Sequence, residues 1–501
     1  MAKYKRYDYS QKLFIPVSLE DQLMPGTLEF AIHTLVETRM DMSIFDGNYK
    51  NDQTGRSAYD PKVLLKVVLL GYSRGLMSSR KIERACCENV IFIAISCNQR
   101  PDHSTLSSFV ASMKDEISLL FTDILLVCEE EKLLGGTFFA LDGCKLPSNA
   151  SKRWSGKISD IKKKREKIEQ KVKRLLAEQI ESDKNDSDGL TELSNREKQI
   201  EKLQKQAKRI ENWLKENDAK IGTTGKEIQS NITDNESAKM MTSHGTIQGY
   251  NGQTLVDKKH QIIMHAEAFG CGQDHGHLEP MLDGAKKNLQ EIGHSQDYFK
   301  GKILTADTNY HSHDNIKKCI EEELDAYIPD IKFRTRDSRF DTQKRHQQQT
   351  DKPFKLADFK HDEGQDQYVC PCNNRLRLNV KKFTRDRVIY RRYVADMNDC
   401  QSCSLKHRCI RHKNAKRKTL TVPIGVTEDN YSKAMASKVD SEKGRKIYPQ
   451  RIAIVEPVFA NIRAHKQLNR FTLRGKLKVN IQWLLYCMVH NMGKITRYAH
   501  A

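Results

Sequence analysis

Over the first 135 residues, apolar positions recur at spacings of three and four, which predicts helices. Pro61 opens the run Val63, Leu64, Leu65, Val67, Val68, Leu69 and Leu70, a buried helix with proline in its first turn. Ser78 and Ser79 start a second helix through Ile82 and Ala85, and Asp102 caps a long third one. That third helix carries Leu106, Phe109, Val110, Met113, Ile117, Leu120, Phe121, Ile124 and Leu125. Three helices with short connections fit a helix-turn-helix DNA module, although most small helical bundles bind no DNA. At 137–142 the pattern becomes a β-branched and aromatic run that ends in Asp142.

From Lys157 to Asn217 the chain is dense in Lys, Glu and Gln. Ile161, Ile168 and Leu175 recur every seven residues, as do Leu193, Ile200, Ala207 and Leu214. The turn formers Ser182–Gly189 part the two series, so the segment reads as an antiparallel coiled-coil hairpin. It is an insertion, a solvated arm suited to self-association. Beyond it, Tyr250–Val256 and Gln261–Ala266 form a hairpin, and a helix covers Leu278–Ile292. Next come a strand ending in Asp307, a helix near Asn315–Leu324, a strand at Ala326–Ile328, and later a helix bearing Glu456.

Without its insertions, that order is α/β, a ribonuclease-H-like mixed sheet flanked by helices. The expected divisions are a helical N-terminal domain (1–135), core (136–156), coiled-coil insertion (157–217) and core continued (218–330). A zinc-ribbon-like insertion (331–445) and a C-terminal catalytic helix region (446–501) follow.

Lys and Arg outnumber Asp and Glu by 85 to 65, a net charge of +20, which favours a polyanionic partner. No apolar run approaches the ~20 residues of a membrane span, and the N-terminus lacks a secretion signal. Thirteen cysteines, mostly single in apolar surroundings, point to a reducing compartment. The expected location is cytoplasmic, nucleoid-associated when DNA is bound.

Glu456 lies among Arg451, Arg463, Lys466 and Arg470, backed by Ile452, Ile454, Val455, Val458, Phe459 and Ile462. A carboxylate among cations at the edge of a core suits a grip on a metal and a polyanion. Taken singly, Asp142-Gly143 reads as a turn and Asp307 as a helix cap. Taken together, Asp142 and Asp307 on neighbouring strand ends with Glu456 make three hard oxygen donors, enough for two Mg²⁺ (or Mn²⁺) ions performing phosphoryl transfer. Pro457 suits a first helical turn and puts Glu456 at a helix start.

Cys370, Cys400, Cys403 and Cys409 would make a tetrahedral structural Zn²⁺ site, with Cys372, His407 and His412 as spare ligands. The bland alternative is free thiols. Lys406–Lys418 then holds seven basic residues and no acid, among them Arg411, Lys413, Lys416, Arg417 and Lys418, a strip suited to the DNA backbone. His275 and His277 mimic a metal site but read as a polar loop, and Asp274 is the reserve should Asp307 be structural.

These motifs resemble those of IS1182-like insertion-sequence transposases, within the IS4/IS5-type DDE superfamily. Tyr59-Asp-Pro through Pro101-Asp-His-Ser-Thr is similar to the helical N-terminal domain of such proteins. Leu141-Asp142-Gly-Cys-Lys145 with Asn149-Ala-Ser151 resembles the first-Asp motif, and Ala306-Asp307-Thr-Asn-Tyr310 the second. Val455-Glu456-Pro-Val-Phe459 with Arg470-Phe-Thr-Leu-Arg474-Gly475 resembles the last. Against the Tyr-x2-Arg-x3-Glu-x6-Lys signature, four residues separate Arg451 from Glu456 and Arg463 replaces the Lys. The resemblance implies binding of double-stranded DNA at terminal inverted repeats, cleavage at the element ends, joining to target DNA, and a homodimer or higher oligomer on DNA. Tyr448, Arg451, Arg463, Lys466, Arg470 and Arg474 are the expected DNA contacts nearby. The alternatives are a catalytically inactive zinc-containing DNA-binding protein, or a ribonuclease-H-like nuclease that cuts without joining.

Overall fold

The computed structural model describes residues 18–49, 57–185, 190–222, 225–340, 342–343, 354–385, 388–410, 412, 414–423 and 430–499. The chain forms two units, one of Met1–Tyr310, Lys318–Ala326 and Pro449–Ala501, the other of His311–Lys317 and Tyr327–Tyr448.

The first unit opens with helices α1 (Leu28–Thr38), α2 (Pro61–Ser73), α3 (Ser79–Glu88), α4 (Val90–Ile95), α5 (His103–Ser112) and α6 (Glu116–Glu130). Asp60 starts α2 by accepting the Lys62 N–H at 2.7 Å, with Pro61 in the first turn. Asp102 caps α5, accepting the Ser104 and Thr105 N–H groups at 2.8 Å each. The single long helix expected after Asp102 is two helices, broken at the fully buried Met113. Asp115 and Glu116 suit the positive end of a new helix, which the apolar spacing alone did not reveal.

Strand β1 (Phe138–Pro147) follows. The two-residue strands β2 (Ser155–Gly156) and β3 (Ser230–Asn231) then pair at the base of α7 (Ile158–Asn185) and α8 (Leu190–Glu216). The start of α7 packs on the end of α8 around Ile161, Ile210, Trp213 and Ile232. The expected turn falls partly on α7 and partly on 186–189, outside the described residues.

The main sheet adds β4 (Ala238–Thr242), β5 (Gly245–Asp257) and β6 (Ile263–Phe269), then α9 (Leu278–Glu291), β7 (Ile303–Ala306), α10 (His313–Glu321) and β8 (Asp325–Tyr327). Its order is β4-β5-β1-β7-β8, with β6 also on β5. β1 runs antiparallel to β5 and parallel to β7, and β5 antiparallel to β6. This mixed sheet is consistent with a ribonuclease-H-like core.

The second unit holds α11 (Phe333–Arg336), β9 (Lys360–Asp362), β10 (Gln367–Val369), β11 (Arg375–Arg385), β12 (Val388–Ala395), α12 (Met397–Gln401) and α13 (Lys406–Cys409). β13 (Thr419–Pro423), α14 (Asn430–Asp440) and α15 (Glu442–Ile447) complete it. Its antiparallel sheet, ordered β13-β12-β11-β10-β9, covers a small core of Phe359, Tyr368, Leu376, Tyr393, Ala395 and Leu420.

The first unit closes with α16 (Gln450–Ala460) and α17 (Lys476–Tyr498). Sequence reading missed α17, which is buried nearly all round and packs on β6, α2 and α6. Tyr486 stacks on Tyr72, ring centroids 4.6 Å apart. Asn491 exchanges two hydrogen bonds of 2.9 Å with the Ile263 backbone, and Asn480 holds Ala268 in the same way. These amides satisfy strand groups that would otherwise form an open edge. Among the described residues no helix is long and apolar enough to cross a membrane.

Candidate active site

The parallel register of β1 and β7 ends by pairing Leu141 with Ala306, so the next residues are Asp142, still on β1, and Asp307, just past the end of β7. Asp142 is not at a turn or a strand end, as its glycine neighbour suggested, because β1 continues to Pro147. Gly143 serves packing instead. A Cβ there would collide with the Gln253 side-chain amide and lie 2.8 Å from Asn251 Oδ1, both of which cross the strand at that point.

The Asp142 carboxylate accepts the Gly143 N–H at 2.8 Å and forms an ion pair with the Arg451 guanidinium. Burial pushes its pKa up to about 6. Arg451 and the Gly143 N–H pull it down, whereas the neighbouring Asp307 charge raises it. Asp307 accepts the Thr308 N–H at 2.6 Å at the turn after β7. The structure thus brings together Asp142, Asp307 and Arg451.

Glu456 is exposed on α16, the helix that packs against β1 through its buried Ile454, Val455 and Val458 face. It does not stand at a helix start, because α16 runs through Pro457. Proline offers no N–H to the Ala453 carbonyl four residues back, and the Gln261 side-chain amide donates to that carbonyl instead, at 3.0 Å. A glutamine one hairpin away offsets the lost bond, which no local rule could foresee. The helix then widens into a π turn at Asn461–His465 that carries exposed Arg463. The Arg463 charge reaches the buried Cys144 thiol, yet burial dominates and raises that thiol to about 12. Arg470 and Arg474 donate to the Asn149 side chain and carbonyl at 3.2 and 3.1 Å, gripping the loop after β1.

Lys466 departs from expectation. It is buried, its amine donates to the Asn461 side chain, and burial, aided by the Lys494 charge, lowers its pKa to about 8. Flanked by buried Ile462 and Leu468, it faces the core and is not placed to meet DNA. Tyr448 lies in the second unit, its ring edge-on to Phe333. Arg411 and Lys413 lie outside the described residues, Lys416 and Arg417 are exposed, and Lys418 turns its amine to the Cys409 carbonyl at 3.1 Å.

Asp274 accepts from Asn251, Gln253 and Asn309 at 2.6, 2.9 and 3.2 Å, and Gln253 in turn accepts from Tyr310. A buried carboxylate with three amide donors is a structural hub tying the turn after Asp307 to β5, not a reserve ligand. The loop before α9 holds exposed His275, whereas His277 is buried and stacked on Phe269.

In the second unit Cys370, Cys372, Cys400, Cys403 and Cys409 line one cavity of about 20 Å³. Cys370-Pro-Cys372 lies in the turn between β10 and β11, where the Asn373 backbone takes a left-handed conformation. The Cys372 and Cys403 sulfurs are 3.3 Å apart. Backbone N–H groups of Asn374 and Lys418 point at the Cys370 and Cys400 sulfurs at 3.3 and 3.4 Å. His407 and His412 are exposed and do not line the cavity. Among the described residues no three His, Cys, Asp or Glu side chains stand in a metal-holding group. Uncompensated carboxylates repel one another, and Arg451 is a counter-charge of Asp142 in the protein alone.

Comparison with known protein families matches residues 17–112 to a transposase domain (DUF772) and residues 369–496 to a transposase DDE domain. No curated protein matches the chain. The DDE match ends in α17 and includes the Glu456 helix, whereas Asp142 and Asp307 precede it. The chain therefore carries two transposase domains, a combination typical of IS1182-family transposases, as its motifs implied.

Proposed function

We propose that this transposase-domain protein binds the terminal inverted repeats of its own element, cuts the DNA at the element ends and joins the freed 3′-hydroxyls to target DNA. The observation that carries the reading is the Asp142–Asp307 pair at the end of the β1–β7 pairing, with the Asp142 pKa raised to about 6 by burial and aided by the Asp307 charge. Half-buried hard oxygens with a guanidinium counter-charge are a donor set suited to a divalent cation. A pair of Mg²⁺ or Mn²⁺ ions would supply activation of the attacking oxygen and charge neutralisation at the leaving one.

Asp142 and Asp307 would hold these ions from the sheet, with Glu456 contributing from α16. Arg451 balances the Asp142 charge in the metal-free chain, and its fork suits a phosphate once a cation takes over that task. Arg463, Arg470 and Arg474 would orient the DNA backbone, with Tyr448, Lys416 and Arg417 as further contacts from the second unit. The reading includes a homodimer or larger assembly on paired ends, a coiled-coil arm of α7 and α8, and structural Zn²⁺ on Cys370, Cys400, Cys403 and Cys409. Five thiols line one small cavity, two of them receiving backbone N–H groups, and holding Zn²⁺ would require four of them to draw together.

With Mg²⁺ and element-end DNA the wild type should nick and join. Asp142→Ala, Asp307→Ala and Glu456→Ala should bind the same DNA and do neither. Retention of wild-type cleavage by all three variants would sink the reading, and cleavage without joining would favour a nuclease. Metal analysis of the purified chain should return about one zinc per chain. Absence of zinc with fully titratable thiols would remove that part.

A further inference from the structure

The small sheet of the second unit has one face on its own core and one face open. Alternation along β11 sends Leu376 into the core and leaves Arg375 and Arg377 exposed on the opposite face. Register continues that face sideways: Arg377 pairs with Val394 on β12, and Val394 pairs with Thr419 on β13. Two residues before Thr419 lies Arg417, also exposed, so Arg375 and Arg377 of one strand and the distant Arg417 line one open groove of about 560 Å³. The groove also carries Asp396 and Asp399. Asp396 is engaged as the cap of α12, accepting the Asn398 N–H at 2.9 Å, and Asp399 sits in the first turn of that helix, where its positive end favours an acid. Arg375 touches the Gln365 side chain at 3.3 Å and its charge is also felt by Asp362.

Three guanidiniums against two aspartates leave the groove with a formal excess of one positive charge, and phosphates laid along the arginines would gain charge-assisted hydrogen bonds. The planar fork of arginine matches phosphate oxygens, which makes the row Arg375–Arg377–Arg417 a fit for successive backbone phosphates.

We propose that this groove is a sequence-independent backbone site for double-stranded DNA, with Arg375, Arg377 and Arg417 each meeting a phosphate. The inference rests on the DNA-transposase reading and adds to it a surface built by strand register, which adjoins the Cys cavity of the same unit through Asn374, Ala395 and Asp399.

The test uses the full chain and a duplex of about 30 base pairs of arbitrary sequence, with affinity measured across a salt series. Each lost phosphate contact should reduce the slope of log K against log salt by about 0.9, so Arg375→Ala/Arg377→Ala/Arg417→Ala should flatten it by roughly 2 to 3. The corresponding triple Lys variant should keep most of the wild-type slope, because it keeps the charges. An unchanged thermal transition would show that the alanine variant folds. A folded alanine variant with wild-type slope and affinity would overturn the proposal. Loss confined to single-stranded DNA would overturn the duplex assignment. A wild type that binds no duplex at any salt would instead overturn the DNA reading beneath it, and the groove with it.

Discussion

Replacing Asp142 by asparagine removes a buried charge while keeping the side-chain shape, and linkage fixes how the effect must vary with pH. An aspartate ordinarily titrates near 3.8 and Asp142 titrates at about 6 in the fold. Between those values the folded state holds more protons than the unfolded state, so stability falls as pH rises. The contribution is fully present below the unfolded pKa and is lost as pH climbs through about 6. A displacement of about two pH units corresponds to about 3 kcal/mol. The substituted amide does not titrate, so the stability of Asp142→Asn relative to wild type should increase by about 2.5 kcal/mol between pH ~4 and ~7.5. Any constant offset from the altered Arg451 contact cancels in that comparison.

The assay is urea unfolding in EDTA at a series of pH values, followed by tryptophan fluorescence. Trp154, Trp213 and Trp483 all lie in the first unit with Asp142, so the signal reports the unit being perturbed. A difference between variant and wild type that stays flat across this range would refute the burial argument. Added Mn²⁺ should reverse the ranking at pH ~7.5 by stabilising the wild type and not the variant.

Gly143→Ala forces the Gln253 and Asn251 amides from their positions, and should cost a few kcal/mol by overpacking while duplex binding in the folded fraction is retained; urea midpoints and gel shifts check it. Gln261→Ala removes the side-chain donor from the carbonyl of exposed Ala453 and should destabilise the first unit by about 0.5 to 1 kcal/mol, and an unchanged urea midpoint would count against that account of Pro457. Lys466→Met should leave DNA affinity and its salt slope unchanged, because the amine is buried on Asn461; a flattened slope would restore it as a contact. Removing 158–216 with a short linker should leave a folded protein, since β2 pairs with β3 at the base of the arm, and loss of the cooperative thermal transition would contradict the arm's independence.

Much of the fold was legible in local pattern. Local rules carried the starts of α2 and α5, since a capping acid and a first-turn proline act within a few residues. Alternation and turn residues carried the β5–β6 hairpin, and the apolar runs before Asp142 and Asp307 marked β1 and β7. The α5–α6 break was missed because both helices keep the same apolar period. The place of Glu456 inside α16 was missed because proline usually ends or begins a helix, and its exception depends on Gln261, 192 residues away from Ala453.

By itself the sequence determined which acids, cysteines and basic runs exist, and which short segments bury an apolar face. Only the tertiary structure decided their company. It brought Asp142 beside Asp307, gave it Arg451 as counter-charge, and turned Asp274 into a hub with three amide donors. It buried Lys466, which composition counts as one more surface cation, and gathered Arg375, Arg377 and Arg417 on one open sheet face. The physical reason is range: caps, turns and periodicity act over one or two helical turns, whereas pKa shifts, orphan carbonyls and charged grooves arise between residues that only the fold makes neighbours.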